Sequence, residues 1–341
     1  MNPADPTITV PIAEPRRPTT DPTTRFLAWA REEVRFAFQP IIDPYTGHLY
    51  GVEALMRGQE DLDFASIHAF FDFSFRMGIL QEIETLLRGR AMKQFSTLDL
   101  GPSVRLFLNI DNRVLLTDDH RAVDTVEAAR AANLAPSCVT LEVSERHQVD
   151  RDVSSTETLA QIYRRRQFRI AIDDFGTGFA GLKLLYDQNP DYIKIDRFFI
   201  SGIETDRMKK LFVSQIVSLA QTLGITVIAE GVETEKELLT CKEMGCNLIQ
   251  GYFIERPLVL GTDLRDAYPR VRDLRKGETD RRFIDQELSM PAPIRSSSDI
   301  MATFEHFRAN KNMTFFPVVD DMDEPLGIIR EEDLKDFTYS R

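Results

Sequence analysis

The chain has 341 residues, 43% of them apolar, enough to bury one large core and leave material for a smaller second module. A formal net charge of −12 with no long basic run argues against duplex nucleic acid as a partner. No apolar run reaches the roughly 18 residues that span a bilayer, and the start lacks the basic and apolar regions of a secretory signal, so a cytoplasmic protein with no membrane segment is expected.

Residues 1–24 are rich in proline and threonine and read as a disordered tail. Short apolar, β-branched runs then recur at 34–41, 48–55, 105–109, 139–143, 169–174, 192–195, 226–230 and 247–253. About six residues separate the first two, too few for a crossover helix, so they are expected to pair as an antiparallel hairpin. Helical periodicity fills the later gaps; at 206–223, Leu211, Ile216, Leu219, Ala220 and Leu223 fall largely on one face. Eight strands alternating with helices predict an α/β fold, a TIM-like (β/α)8 barrel with one antiparallel strand, over 25–268. Cys138, Cys241 and Cys246 suit small buried hydrophobes, and the five histidines are scattered without ligand spacing.

Polar residues interrupt these runs in a patterned way. Glu53, Asn109, Glu142, Asp173, Asp174 and Glu230 each sit at or near the C-terminal end of a run, with Lys194 and Gln250 beside such ends. Strand ends of a barrel converge on one mouth, where so many carboxylates repel unless cations join them. All-oxygen donors select Mg2+ or Mn2+ over zinc. Asp173-Asp174 can reach two ions about 3.5–4 Å apart, the spacing used in phosphoester hydrolysis, and Lys194 can orient a water or steady a phosphoryl oxygen. The glycines of Phe175-Gly176-Thr177-Gly178 allow a tight loop directly after these acids.

Residues 269–285 are dense in charge and read as a linker. In 286–341, a helix near 298–310 precedes two short strands around an Asp/Glu/Pro turn and a further helix start.

In order, the motifs Gln39-Pro40-Ile41, Glu53-Ala54-Leu55-Met56-Arg57, Asn109, Glu142-Val143-Ser144-Glu145, IDDFGTG at 172–178, Lys194-Ile195-Asp196, Ala229-Glu230-Gly231-Val232-Glu233 and Gln250-Gly251-Tyr252 resemble the EAL-domain family of cyclic-di-GMP phosphodiesterases. The resemblance implies that Glu53, Asn109, Glu142, Asp173 and Glu230 share a first metal and that Asp174 completes a second, with Asp173 bridging. It further implies that Lys194 orients water and that Gln250 is an active-site amide. Glu145 and Glu233 would brace the loop after Asp173, and Arg57 would clamp phosphate, chemistry that suits a guanidinium fork. Gln39, Asp196 and Pro257 would lie along the dinucleotide. The implied reaction is hydrolysis of cyclic-di-GMP to linear pGpG, in a chain that dimerises. The alternative is a non-catalytic receptor signalling through its C-terminal module.

Every metal-ligand position carries the matching residue type. The departures are Asp111 where serine is usual, Phe179-Ala180-Gly181 in the loop, and Ile254-Glu255 before Pro257. Asp111 and Glu255 are expected to add negative charge near an anionic ligand. The C-terminal segment resembles a single CBS motif, incomplete by itself, and suggests a piece of a longer protein. Asp333 matches an acid that such motifs use for ribose, but Arg330 replaces a usual Ser or Thr, so a structural or dimerisation module is favoured over an adenine nucleotide site.

Overall fold

The computed structural model describes residues 22–62, 64–116, 122–144, 158–177, 181–259, 264–274, 292–310, 313 and 315–330. They fall into two compact units, 1–275 and 276–341.

The first unit is a closed barrel with its strands in sequence order, β1 (Arg35–Ile42), β2 (Leu49–Arg57), β3 (Arg105–Ile110), β4 (Val139–Ser144), β5 (Arg169–Phe175), β6 (Tyr192–Ile195), β7 (Thr226–Ala229) and β8 (Leu248–Gln250). Every expected strand is present. β1 runs antiparallel to β2 and also to β8, so it is the reversed strand. Two shells of apolar side chains hold the barrel. Ile41, Phe107, Ala171, Tyr192, Ile228 and Leu248 fill the interior, while alternate residues such as Val52, Leu106, Leu141 and Ile170 face the helices.

Because β1 is reversed, its first residue lies beside the last residue of β2, Arg35 opposite Arg57. The helix before it, α1 (Pro22–Glu32), therefore sits at the mouth, and Trp29 packs against Gly58 just beyond β2. α1 begins inside the 1–24 segment expected as tail. Phe26, Trp29 and Ala30 give it a buried face at helical spacing, and Phe26 stacks on Phe70 of α2 (Ile67–Arg76) at 4.7 Å. α3 (Leu80–Phe95) covers the outside of β1 and β3. α4 (Ala122–Ala131), α5 (Leu159–Arg164), α6 (Gly181–Gln188), α7 (Arg197–Ile200), α8 (Arg207–Leu223) and α9 (Glu235–Glu243) follow in turn.

At the opposite end, Tyr268 N–H donates to the Gly47 carbonyl at 2.7 Å, and α10 (Pro269–Asp273) buries Val271 in the main core. The charged stretch expected as linker from 269 thus starts with a helix belonging to the barrel. Its arginines lie on the outer side of a turn whose one apolar anchor points in.

The stripe expected on 206–223 is also corrected. The helix forms, capped by Asp206, but it buries Val213, Val217 and Ala220 and leaves Leu211, Leu219 and Leu223 exposed. Valine and alanine let the helix axis approach the sheet closely, and the longer leucines flank that seam. Periodicity alone did not separate the two faces.

In the second unit, β9 (Ile294–Arg295) pairs parallel with β10 (Phe315–Val319), which pairs antiparallel with β11 (Pro325–Arg330). α11 (Ile300–Ala309) is capped by Asp299 and packs Phe307 on Phe316. The expected helix and two strands are present; Asp333 lies outside the described residues.

Candidate active site

Strand alternation brings the predicted side chains to one place. Glu53 of β2 is paired in register with Gln39 of β1, Asn109 of β3 with Glu142 of β4, and Ser144 of β4 with Asp173 of β5. Glu53 lies mid-strand, because β2 continues four residues past it to Arg57. The run ended in sequence before the strand did.

Lys194, from β6, stands at the centre and is 1% exposed. Its Nζ lies 3.2 Å from Glu53 Oε2, 2.7 Å from Glu142 Oε1, 3.1 Å from Asp173 Oδ1 and 2.7 Å from Glu230 Oε1. Gln250 Nε2 donates to Glu53 Oε2 at 2.8 Å and to Gln39 Oε1 at 3.1 Å. Asn109 Nδ2 donates to Glu53 Oε1 at 3.0 Å. Among the described residues, five of the six expected metal ligands therefore converge directly with the lysine and the amide.

The sixth, Asp174, needs a local device. Neighbouring residues of a strand point to opposite faces, so Asp173 and Asp174 cannot both face the mouth from a regular β5. The register against β6 breaks between Ile172 and Phe175, and Asp174 takes a left-handed backbone at φ +54°. Aspartate tolerates that region better than most residues. The bulge turns both acids the same way: Asp173, Asp174 and Glu230 offer oxygens within 4.8 Å of one another.

One cation cannot neutralise this many buried acids, and the carboxyls separate accordingly. Burial, with the Glu53 charge nearby, drives Glu142 well above the usual carboxylate range despite Lys194. Burial does the same to Glu230, again against the pull of Lys194. Burial also opposes ionisation of Glu53, but Lys194 and the amides of Gln250 and Asn109 outweigh it and hold that carboxyl below its ordinary value. Lys194 loses solvation, yet Asp173, Glu142, Glu230 and Glu53 together keep it firmly protonated.

The other predicted residues take varied places. Gln39 donates Nε2 to the Glu255 carbonyl at 3.3 Å, which ties β1 to the segment bearing Pro257, and Leu258 pairs with Phe38. Arg57 Nη1 donates to the Met56 carbonyl. Asp196 caps α7 by accepting from Phe198 N–H at 2.7 Å. Glu233 pairs with Arg197 at 2.9 Å, and Phe199 on the same short helix lies against Gly176 of the acidic loop. Glu145 and residues 178–180 lie outside the described residues.

The expected extra charge at Asp111 is cancelled by a fork from Arg113, whose Nε and Nη2 reach the two carboxylate oxygens at 2.9 and 2.6 Å. Arg113 Nη1 also reaches Asp72 at 2.6 Å. The two-residue spacing of Asp111 and Arg113 was the available signal. A buried pair on α3, Glu84 with Arg88, had no sequence signal beyond its i,i+4 spacing. Glu84 Oε1 accepts from Asp111 N–H at 3.0 Å, joining that pair to the mouth.

The donor set fits a divalent cation. Its atoms are oxygens from separate strands, and Glu142 Oε2 is buried without a hydrogen-bond partner among the described residues. A strand ring that holds several carboxylates around a single lysine has more negative charge than the protein alone offsets.

The EAL domain model matches residues 25–257. Among curated proteins, the chain is 29% identical over 233 residues to the oxygen sensor protein DosP of Escherichia coli, covering 68% of this chain and 29% of the relative. It is 30% identical over 257 residues to the cyclic di-GMP phosphodiesterase NbdA of Pseudomonas aeruginosa, covering 71% of this chain and 32% of the relative. The chain thus spans about a third of the length of these relatives. Among solved structures, a standalone EAL protein of Vibrio cholerae in its c-di-GMP bound form aligns with TM-score 0.59 at 26% identity, over 71% of this chain and 98% of that one. The manganese/cy-diGMP complex of Klebsiella pneumoniae BlrP1 aligns with TM-score 0.55 at 28% identity, over 67% of this chain and 56% of that one.

Proposed function

The chain belongs to the EAL domain family, and from that premise we propose that it hydrolyses cyclic di-GMP to linear pGpG with the help of two divalent cations, Mg2+ or Mn2+. The observation that carries this reading is the ring of Glu53, Glu142, Asp173 and Glu230 around Lys194, with Asp174 turned into it by the β5 bulge. The names of the relatives, and the manganese in the BlrP1 complex, support it.

Glu53, Asn109, Glu142, Asp173 and Glu230 would hold one cation and Asp174 would complete a second, with Asp173 shared. When bound, the cations supply Lewis acidity that lowers the pKa of water and offsets charge on phosphoryl oxygens. In the reaction, a water oxygen bonds to phosphorus, one ring P–O ester bond breaks, and the departing sugar oxygen takes a proton. Lys194, fixed by its carboxylates, orients the attacking water. Gln250 holds Glu53 in place through one N–H and Gln39 through the other. Arg57, at the mouth end of β2, clamps a phosphate, and Gln39, Asp196 and Pro257 flank the dinucleotide. The protein acts as a homodimer, and the C-terminal unit serves as a structural or dimerisation module.

The test is product chromatography after incubation with cyclic di-GMP and Mn2+, beside a Glu53→Ala control. We expect pGpG from the wild type and at least a hundredfold less from the variant. Binding without any product returns the chain to the receptor reading.

A further inference from the structure

A cavity of about 420 Å3 opens at Asn109 and Asp174 and continues past the mouth, between the outward side of β2 and β3 and the helix α3. Glu53 and Asp173 of the ring also line its mouth end, while Ala54, Leu108 and Ala91 carry the crevice into the layer between sheet and helix. Arg88 lines it. This side chain is 3% exposed; Nη1 bonds to Glu84, while Nε and Nη2 are buried with no hydrogen-bond partner among the described residues.

The chain treats comparable arginines differently. Arg113 uses Nε, Nη1 and Nη2 on Asp111 and Asp72. Arg90, two residues along α3, donates from Nε, Nη1 and Nη2 to the carbonyls of Val34, Arg31 and Glu32. A buried donor left unmade costs about 1–3 kcal/mol, more on a charged group. The missing partner is a pair of acceptors, set at fork spacing, on a body that tolerates apolar walls. A guanine base has this form: O6 and N7 accept together from one guanidinium, and its faces are flat and weakly hydrated. The cavity volume lies within the usual range of small-molecule sites, roughly 300–1,000 Å3.

We infer that Arg88 reads one guanine base of the dinucleotide, which enters the crevice between β2–β3 and α3 while its phosphate lies at the mouth. This inference rests on the proposed substrate. It makes Arg88 a specificity-determining residue, held in place by Glu84.

The experiment uses the full chain and two diesters, cyclic di-GMP and the guanine-free bis(p-nitrophenyl) phosphate, with Mn2+. Arg88→Lys keeps the charge without the fork; Arg88→Met with Glu84→Gln removes the ion pair without stranding an acid. Circular dichroism checks that each is folded. We expect the ratio of kcat/KM for cyclic di-GMP over the guanine-free diester to fall about tenfold or more in both, chiefly through KM, the scale of one bidentate contact. In a parallel binding arm with Ca2+, the Kd for cyclic di-GMP rises by a similar factor. An unchanged ratio and Kd, or equal losses on both diesters, overturns the inference and leaves Arg88 a structural cation. A wild type that binds cyclic di-GMP without cleaving it overturns the phosphodiesterase reading alone, because the binding arm still decides the role of Arg88. A wild type that does not bind cyclic di-GMP overturns both.

Discussion

Lys194 brings one positive charge into a space that four carboxylates share, and its loss leaves them with no cation among the described residues. Removing one partner of a buried ion cluster costs about 3–5 kcal/mol. Lys194→Met is therefore expected to lower the melting temperature in a chelator, and added Mn2+ should raise it further than in the wild type. Equal metal-induced shifts in both proteins would contradict this. Glu84 offers a second test through pH. Burial, only partly offset by Arg88, raises its carboxyl from an ordinary 4.5 to about 7. Between those values the folded chain keeps a proton that the unfolded chain has released, so this group costs increasing stability as pH rises, up to about 3 kcal/mol above pH 7. Glu84→Gln removes that dependence. The melting temperature of the variant, relative to wild type, should climb between pH 5 and pH 8; a flat difference would refute the assignment. Neither Glu84 nor Arg88 was legible as a site residue in the sequence, because an i,i+4 acid–base pair usually marks a solvated helix face. Burial alone distinguishes this one.

At the scale of elements, the strands were legible because their runs are apolar and β-branched, and the site acids were legible because they interrupt those runs near one end. The β5 bulge was not. Nothing in Asp173-Asp174 says which of the two breaks the alternation; the answer lies in the register against β6, a partner distant in sequence. The inner face of α8 was missed for a related reason, since the seam that accepts Val213 and Val217 is shaped by the barrel rather than by the helix. Glycines mark where elements touch most closely. A Cβ on Gly251, directly after β8, would lie 2.1 Å from the Val232 carbonyl oxygen and 2.3 Å from its nitrogen. No rotamer relieves a clash with backbone. Gly251→Ala is expected to cost about 3 kcal/mol or more, seen as a large fall in the urea midpoint, and to pull Gln250 away from Glu53. A midpoint close to that of the wild type would show that the β7–α9 loop can shift instead.

For the molecule as a whole, the barrel and its reversed strand followed from eight runs and one short connection, while unit boundaries were harder to read because charge density resembles a linker even where one valine anchors a turn. The exposed apolar side chains Phe198, Met208, Leu211 and Phe212 crowd α7 and the first turns of α8, a concentration that supports the proposed homodimer. Phe212→Asp should convert a dimer to a monomer in sedimentation velocity; an unaltered sedimentation coefficient would remove this face from the assembly. A last consequence comes from the direction of β1. The polypeptide joins the barrel at the rim, through α1, and departs from the opposite pole, where Tyr268 is tied to Gly47. Those attachment points are separated by the length of an eight-residue strand, about 25 Å. Cargo fused ahead of Pro22 would thus pull on the strand that carries Gln39 midway along its length. Cargo fused behind Leu274 would gain leverage on the acids around Lys194 only by tilting the whole of that strand.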